Sequence, residues 1–221
     1  TNGQSRYARD EHPEHTGFAH LFEHLMFGGS AHIPDYDTPL QLAGGENNAW
    51  TNNDITNYYL TVPKPNVETA FWLESDRMLE LAFSEQSLEV QRGVVMEEFK
   101  QRCLNQPYGD VGHLFRPLAF RVHPYRWPTI GKELSHIEQA TLDEVKSFFY
   151  RFYAPNNAVL AVTGNISWDE TVKLTEKWFA PIPRRDVPVR QLPQEPEQTQ
   201  ERRLTVERNV PLDALFMGYH M

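Results

Sequence analysis

The stretch 17–29, GFAHLFEHLMFGG, places His20 and His24 four residues apart with Glu23 between them, in an apolar run closed by Gly28 and Gly29. On a helix of about 3.6 residues per turn the two imidazoles leave the same face one turn apart, so both can reach one metal ion. Glu23 sits beside the pair but offset round the cylinder. It is therefore placed to act on a metal-held water without being a ligand itself. This is the zinc motif HExxH in reversed order, and it needs the same chemical parts. Zinc brings the pKa of its water down to about 7, and a nearby carboxylate takes the proton as a carbonyl is attacked. A catalytic zinc usually has three protein ligands, so two histidines alone do not exclude an apolar helix that happens to carry them.

The segment 89–99, EVQRGVVMEEF, offers a third. Projected at about 100° per residue, Leu88, Val90, Val94, Val95 and Phe99 form one wide apolar arc. Gln91 and Glu98, seven apart, fall in the middle of that arc, and Glu97 lies at its edge. An acid aimed into a core requires a partner. A metal held by His20 and His24 would serve, and so would an arginine such as Arg77 or Arg102.

The elements that must position these residues are legible as patterns. A helix is predicted over 16–27, with Thr16 as its cap and the glycine pair as its stop. A short helix follows over 38–43. Residues 47–62 read as a hairpin turning at Asn52, Asn53 and Asp54. Helical spacing recurs over 66–83, over 84–105 with Ser84 as cap, and over 111–120. It returns over 142–153, capped by Thr141 and stopped by Pro155, and over 167–179. Residues 157–166, 202–208 and 213–221 read as strands, and the Pro- and Gln-rich stretch 181–200 as a linker. Helices and strands mix without strict βαβ alternation, so the expected class is α+β, a largely antiparallel sheet flanked by helices, in one domain over 1–221. A net charge of −9 argues against nucleic acid as the main partner, since a phosphate-binding surface shows basic excess. No run of eighteen apolar residues is present to span a membrane. The single cysteine, Cys103, excludes an intrachain disulfide and has no Cys–His signature around it, so a packing role is expected.

Four segments together, HTGFAHLFEHLMFGGS, NAWTNNDITNYY, QRGVVMEEFKQR and YAPNNAVLAVTGNI, resemble the pitrilysin-like peptidases with the inverted zinc motif, the family of insulysin and the mitochondrial processing peptidase. The likeness runs in order along most of the chain. It implies a zinc metalloendopeptidase domain with one zinc ion, His20, His24 and Glu98 as ligands and Glu23 as general base. It also implies that Asn48, Ala49 and Trp50 lie on a sheet edge against which an extended peptide substrate pairs through its backbone. Thr51 continues that strand. Three departures stand out. The family often has a glutamate where this chain has Gln91, whose amide can still hydrogen-bond beside the site but adds no negative charge. The family sheet normally begins well upstream of the zinc helix, whereas only residues 1–15 precede it here. Active members enclose substrate between two related halves, and the second half supplies further site residues. The chain is thus expected to be much of a first catalytic domain from a longer two-half enzyme, with a second homologous half or subunit as partner. A bacterial source is implied, with cytoplasm and periplasm both open. The rival expectation is an incomplete or non-catalytic subunit that binds metal and pairs with such a half.

The other histidines carry no such pattern. His113, His123 and His136 are irregularly spaced and are expected to be structural, and His12 and His15 to be solvated.

Overall fold

A computed structural model describes residues 15–187, 189 and 191–220. The chain order is α1 (Phe18–Leu25), α2 (Asp37–Leu42), β1 (Glu46–Thr51), β2 (Thr56–Thr61), α3 (Val67–Leu79) and α4 (Glu85–Phe99). A π-helical turn, Lys100–Leu104, extends α4. Then come α5 (Val111–Ala119), α6 (Leu134–Glu138), α7 (Leu142–Phe152) and α8 (Trp168–Phe179).

The caps explain most of the boundaries. The Ser84 hydroxyl accepts from Ser87 N at 3.0 Å and starts α4, and Ser167 does the same for α8 through Glu170 N at 3.1 Å. Thr141 and Glu144 form a reciprocal capping box at the head of α7. Pro155 ends α7 by opening a 3₁₀ turn, Pro155–Asn157. Thr16 does not cap α1. The N-cap is Gly17, while the Thr16 hydroxyl accepts from Lys132 N at 2.8 Å and bonds His136 Nδ1 at 2.8 Å. Thr16 therefore ties the entry of α1 to the loop before α6.

The sheet is antiparallel, as expected, but among the described residues it has two strands, β1 and β2, in register from Glu46↔Thr61 to Thr51↔Thr56. The Asn52 side chain closes the hairpin by accepting from Asp54 N at 2.8 Å and Ile55 N at 3.0 Å. The expected strands over 157–166, 202–208 and 213–220 are not formed among the described residues. A strand exists only with a hydrogen-bonded neighbour strand, and among the described residues the β-ladder is that of β1 with β2. Of their apolar residues, Val159, Leu160, Leu204 and Val206 are exposed. Met221 lies outside the described residues.

One core runs through the molecule. Phe18, Leu21, Phe22 and Leu25 of α1 pack with Leu88 and Val95 of α4, Ile137 of α6, and Val145, Phe148, Phe149 and Phe152 of α7. A smaller cluster of Ile33, Tyr36, Leu40 and Leu73 joins α2 to α3. Between the clusters lies Arg77, 1% exposed. Its guanidinium stacks within 4.4–5.0 Å of the rings of Phe27, Tyr36 and Tyr58 and pairs with Glu74 at 2.6 Å.

Candidate metal centre

Helix α1 can run where it does because position 17 is glycine. Its φ of 90° is left-handed, and a Cβ there would lie 2.6 Å from Ile137 Cδ1. With Phe22, Leu21 and Leu25 turned into the core, the α1 face that carries His20 and His24 is set against α4. The two imidazoles meet edge to face, with centroids 4.9 Å apart. Glu98 of α4 reaches across to both, its Oε2 3.5 Å from His20 Nε2 and 3.4 Å from His24 Nε2. All three ligand atoms lie within 4.8 Å of one another. Two donors on one tetrahedral zinc, each about 2.0–2.1 Å from it, are about 3.3–3.4 Å apart. Both nitrogen–oxygen separations are already near that spacing, so the donor set fits a zinc ion. Among the described residues this is the group of three or more His, Cys, Asp or Glu side chains so gathered.

The electrostatics agree with the geometry. Burial lowers the His20 pKa to about 4, against an opposing pull from Glu98. Burial also lowers His24, again opposed by the Glu98 charge and hydrogen bond. Both rings are therefore neutral near pH 7 and offer lone pairs rather than a positive charge. His20 Nδ1 is buried with no hydrogen-bond partner among the described residues, so its polar contact is made through Nε2. A side-chain hydrogen bond with Gln91 is the smallest influence on His24 and pulls its pKa upward.

Glu98 is less enclosed than the projection of α4 implies. Leu88, Val95 and Phe99 are buried, but Val90 and Val94 are 55% and 46% exposed. The buried arc is narrower than expected, and Gln91 and Glu98 lie on its margin. Of the two arginines that could have paired with Glu98, Arg77 is committed to Glu74, whereas Arg102 Nη2 bonds Glu98 Oε1 at 2.8 Å. The arginine and the histidines thus share the carboxylate, one oxygen each side.

Glu23 points toward the hairpin, where the Thr51 hydroxyl donates to its Oε2. Burial raises the Glu23 pKa, and the Thr51 hydrogen bond works against that rise. The burial of β1 alternates. Asn47, Ala49 and Thr51 are half-buried, and Glu46, Asn48 and Trp50 are exposed, Trp50 by 41%. Asn48 and Trp50 therefore share the outer face, while Ala49 packs on the core beside α1. The Ala49 N–H is held by Asn48 Oδ1 at 2.8 Å. The contact of Thr51 with Glu23 was not foreseen. The alternation that puts Ala49 inside also puts Thr51 inside, and that was the available signal.

The remaining histidines have separate partners. His113 Nε2 bonds Gly131 O at 2.9 Å, His136 bonds Thr16, and His123 accepts from Tyr125 N at 3.2 Å. His15 is half exposed and lies 3.4 Å from Glu144, and His12 lies outside the described residues. Cys103 is buried and free, and burial raises its pKa, as suits a packed thiol.

Two family models match the sequence: Insulinase (Peptidase family M16) over residues 8–115 and Peptidase M16 inactive domain over 139–221. Zinc protease PqqE of Helicobacter pylori is 30% identical over 217 residues, which are 96% of this chain and 49% of that protein. The crystal structure of a protease from Helicobacter pylori superposes with a TM-score of 0.79 at 30% identity, covering 86% of this chain and 46% of that one. The first half of the periplasmic protease PqqL from Escherichia coli has the same fold, with a TM-score of 0.72 at 23% identity, over 82% of this chain and 41% of that half. The chain thus spans about half the length of the relatives it matches.

Proposed function

The chain belongs to the insulinase-like peptidase family M16, and on that premise we propose that it forms the metal-binding catalytic part of a zinc metalloendopeptidase acting on extended peptides. The observation that carries the reading is the meeting of His20, His24 and Glu98 at zinc-ligand spacing, with the Glu23 carboxylate beside them on α1. His20 Nε2, His24 Nε2 and Glu98 Oε2 would hold one ion. Zinc bound there supplies Lewis acidity, which makes a water easier to deprotonate and polarises a peptide carbonyl.

The chain's own residues do the rest. The Glu23 carboxylate, whose Oε2 accepts from Thr51, would take the proton of the attacking water. A carboxylate whose pKa is raised by burial is a better base for that task. Gln91 orients His24, replacing by a hydrogen bond what a charged residue would add by attraction. The substrate lies along the edge of β1 that β2 does not use, with its backbone addressed by Asn48, Ala49 and Trp50. The Asn48 side chain, which now holds the Ala49 N–H, would yield it to a substrate carbonyl. Because such pairing reads backbone, the substrate class is flexible peptide rather than folded protein.

Residues 1–221 are read as one catalytic domain of a longer protein. In support, one core joins Phe22 from the first family match to Phe148 and Phe149 from the second. A related half or subunit would complete the enclosure of substrate. The source is read as bacterial, as those of the relatives are, with cytoplasm and periplasm both open; no helix among the described residues is long and apolar enough to cross a membrane. The test is the Glu23→Gln variant of the full-length protein. It should keep its zinc and lose peptide cleavage, and undiminished cleavage would remove Glu23 from its role.

A second reading is favoured by the 49% and 41% coverage of the relatives: a metal-binding part that is inactive until its counterpart is present. Mixing this chain with a polypeptide matching the relatives' remaining length should then create chelator-sensitive cleavage. If this chain cleaves an unstructured peptide unaided, that second reading is wrong.

A further inference from the structure

We propose that Arg102 is a positioning residue for the metal, acting through Glu98; the inference rests on the zinc reading above. A carboxylate at the margin of a helix face can present either oxygen, or both, to a cation. Here the two oxygens are divided. Oε2 faces both histidine nitrogens, at 3.5 and 3.4 Å, while Oε1 is held by Arg102 Nη2 at 2.8 Å. Rotation of the carboxylate would break the arginine bond, so Glu98 is pinned as a one-oxygen ligand aimed at the imidazole pair.

The backbone that carries Arg102 is built for this. It lies in the π-helical turn Lys100–Leu104, a widened turn that follows the ligand helix directly and is anchored inward by buried Cys103. The adjacent acid does not compete, because Glu97 pairs with Lys100 at 2.5 Å. The arginine side chain itself is 68% exposed. An ion pair so open to water adds little to folding, so its value lies in the direction it gives Glu98.

The test is zinc affinity, measured on metal-stripped full-length protein by competition with a chromophoric chelator, for the wild type, Arg102→Met and Arg102→Lys. Methionine keeps length and helix propensity but removes the donor, and zinc should bind about tenfold more weakly or worse, in line with other partners of metal ligands. Lysine still offers a donor to Oε1, so its affinity should return to within about threefold of the wild type. The melting midpoint of the metal-free protein should not move in either variant, which separates positioning from stability. Methionine binding zinc as tightly as the wild type would overturn the inference, as would lysine binding as weakly as methionine. A wild type that binds no zinc would instead overturn the zinc reading, and this inference with it.

Discussion

The Thr51→Val variant probes how much catalysis depends on a contact between two elements. Thr51 ends β1 and Glu23 lies on α1, and the threonine hydroxyl donating to Glu23 Oε2 is the polar link between them. Valine matches threonine in shape and strand preference, so the hairpin survives, and Thr56 loses only a hydroxyl neighbour at 3.2 Å. A hydrogen bond to a charged acceptor contributes about 1.5–3 kcal/mol. If that bond holds the base in place, its loss should slow the chemical step by roughly 10- to 150-fold at about 1.4 kcal/mol per decade. The assay is steady-state cleavage of an unstructured reporter peptide by the full-length protein, with zinc content measured on the same samples. The kcat should fall by that factor while KM and zinc content hold, and Thr51→Ser should restore most of the rate. A kcat for Thr51→Val within about twofold of the wild type would refute the idea that this contact positions the base.

Three further outcomes follow from the packing and the metal. Arg77→Met leaves Glu74 with only the Tyr36 hydroxyl and empties the ring-lined slot of its charge, so it should destabilise the fold by about 3–5 kcal/mol in urea unfolding; a shift of a few tenths would show the cage to be decorative. Leu88→Ala opens a cavity under the α1–α4 contact, where Leu88 is fully buried, and should lose about 2–5 kcal/mol by the same measurement. Zinc in about thousandfold excess over its Kd should stabilise the protein by about 4 kcal/mol, read as a raised melting temperature that a chelator reverses. His20→Ala should abolish that shift, and persistence of the shift would place the ion elsewhere.

What could be read from the sequence follows from which interactions are local. The His20 and His24 pair is set by helical geometry, and the hairpin by Asn52 and its flanking Thr and Tyr residues, so both were legible from spacing. Glu98 was found because a charged side chain beside Leu88, Val95 and Phe99 needs a partner. The projection overreached at Val90 and Val94, since periodicity marks an apolar residue without saying whether a neighbour covers it. The strands expected near Val159 and Leu204 are not formed among the described residues for a related reason: strand propensity is realised only by a partner strand, which no local pattern supplies. Thr51 meeting Glu23 across 28 residues, and Arg77 seated among Phe27, Tyr36 and Tyr58, are consequences of tertiary packing. Arg102 was visible as one turn beyond Glu98, but its sharing of that carboxylate with the histidines was visible only once α1 and α4 had been brought together.

The most direct measurement is anomalous diffraction from crystals of the zinc-loaded protein, collected on both sides of the zinc edge. The account predicts one strong peak about 2.0–2.2 Å from His20 Nε2, His24 Nε2 and Glu98 Oε2. A zinc peak at other residues, or none at this cluster, would contradict it.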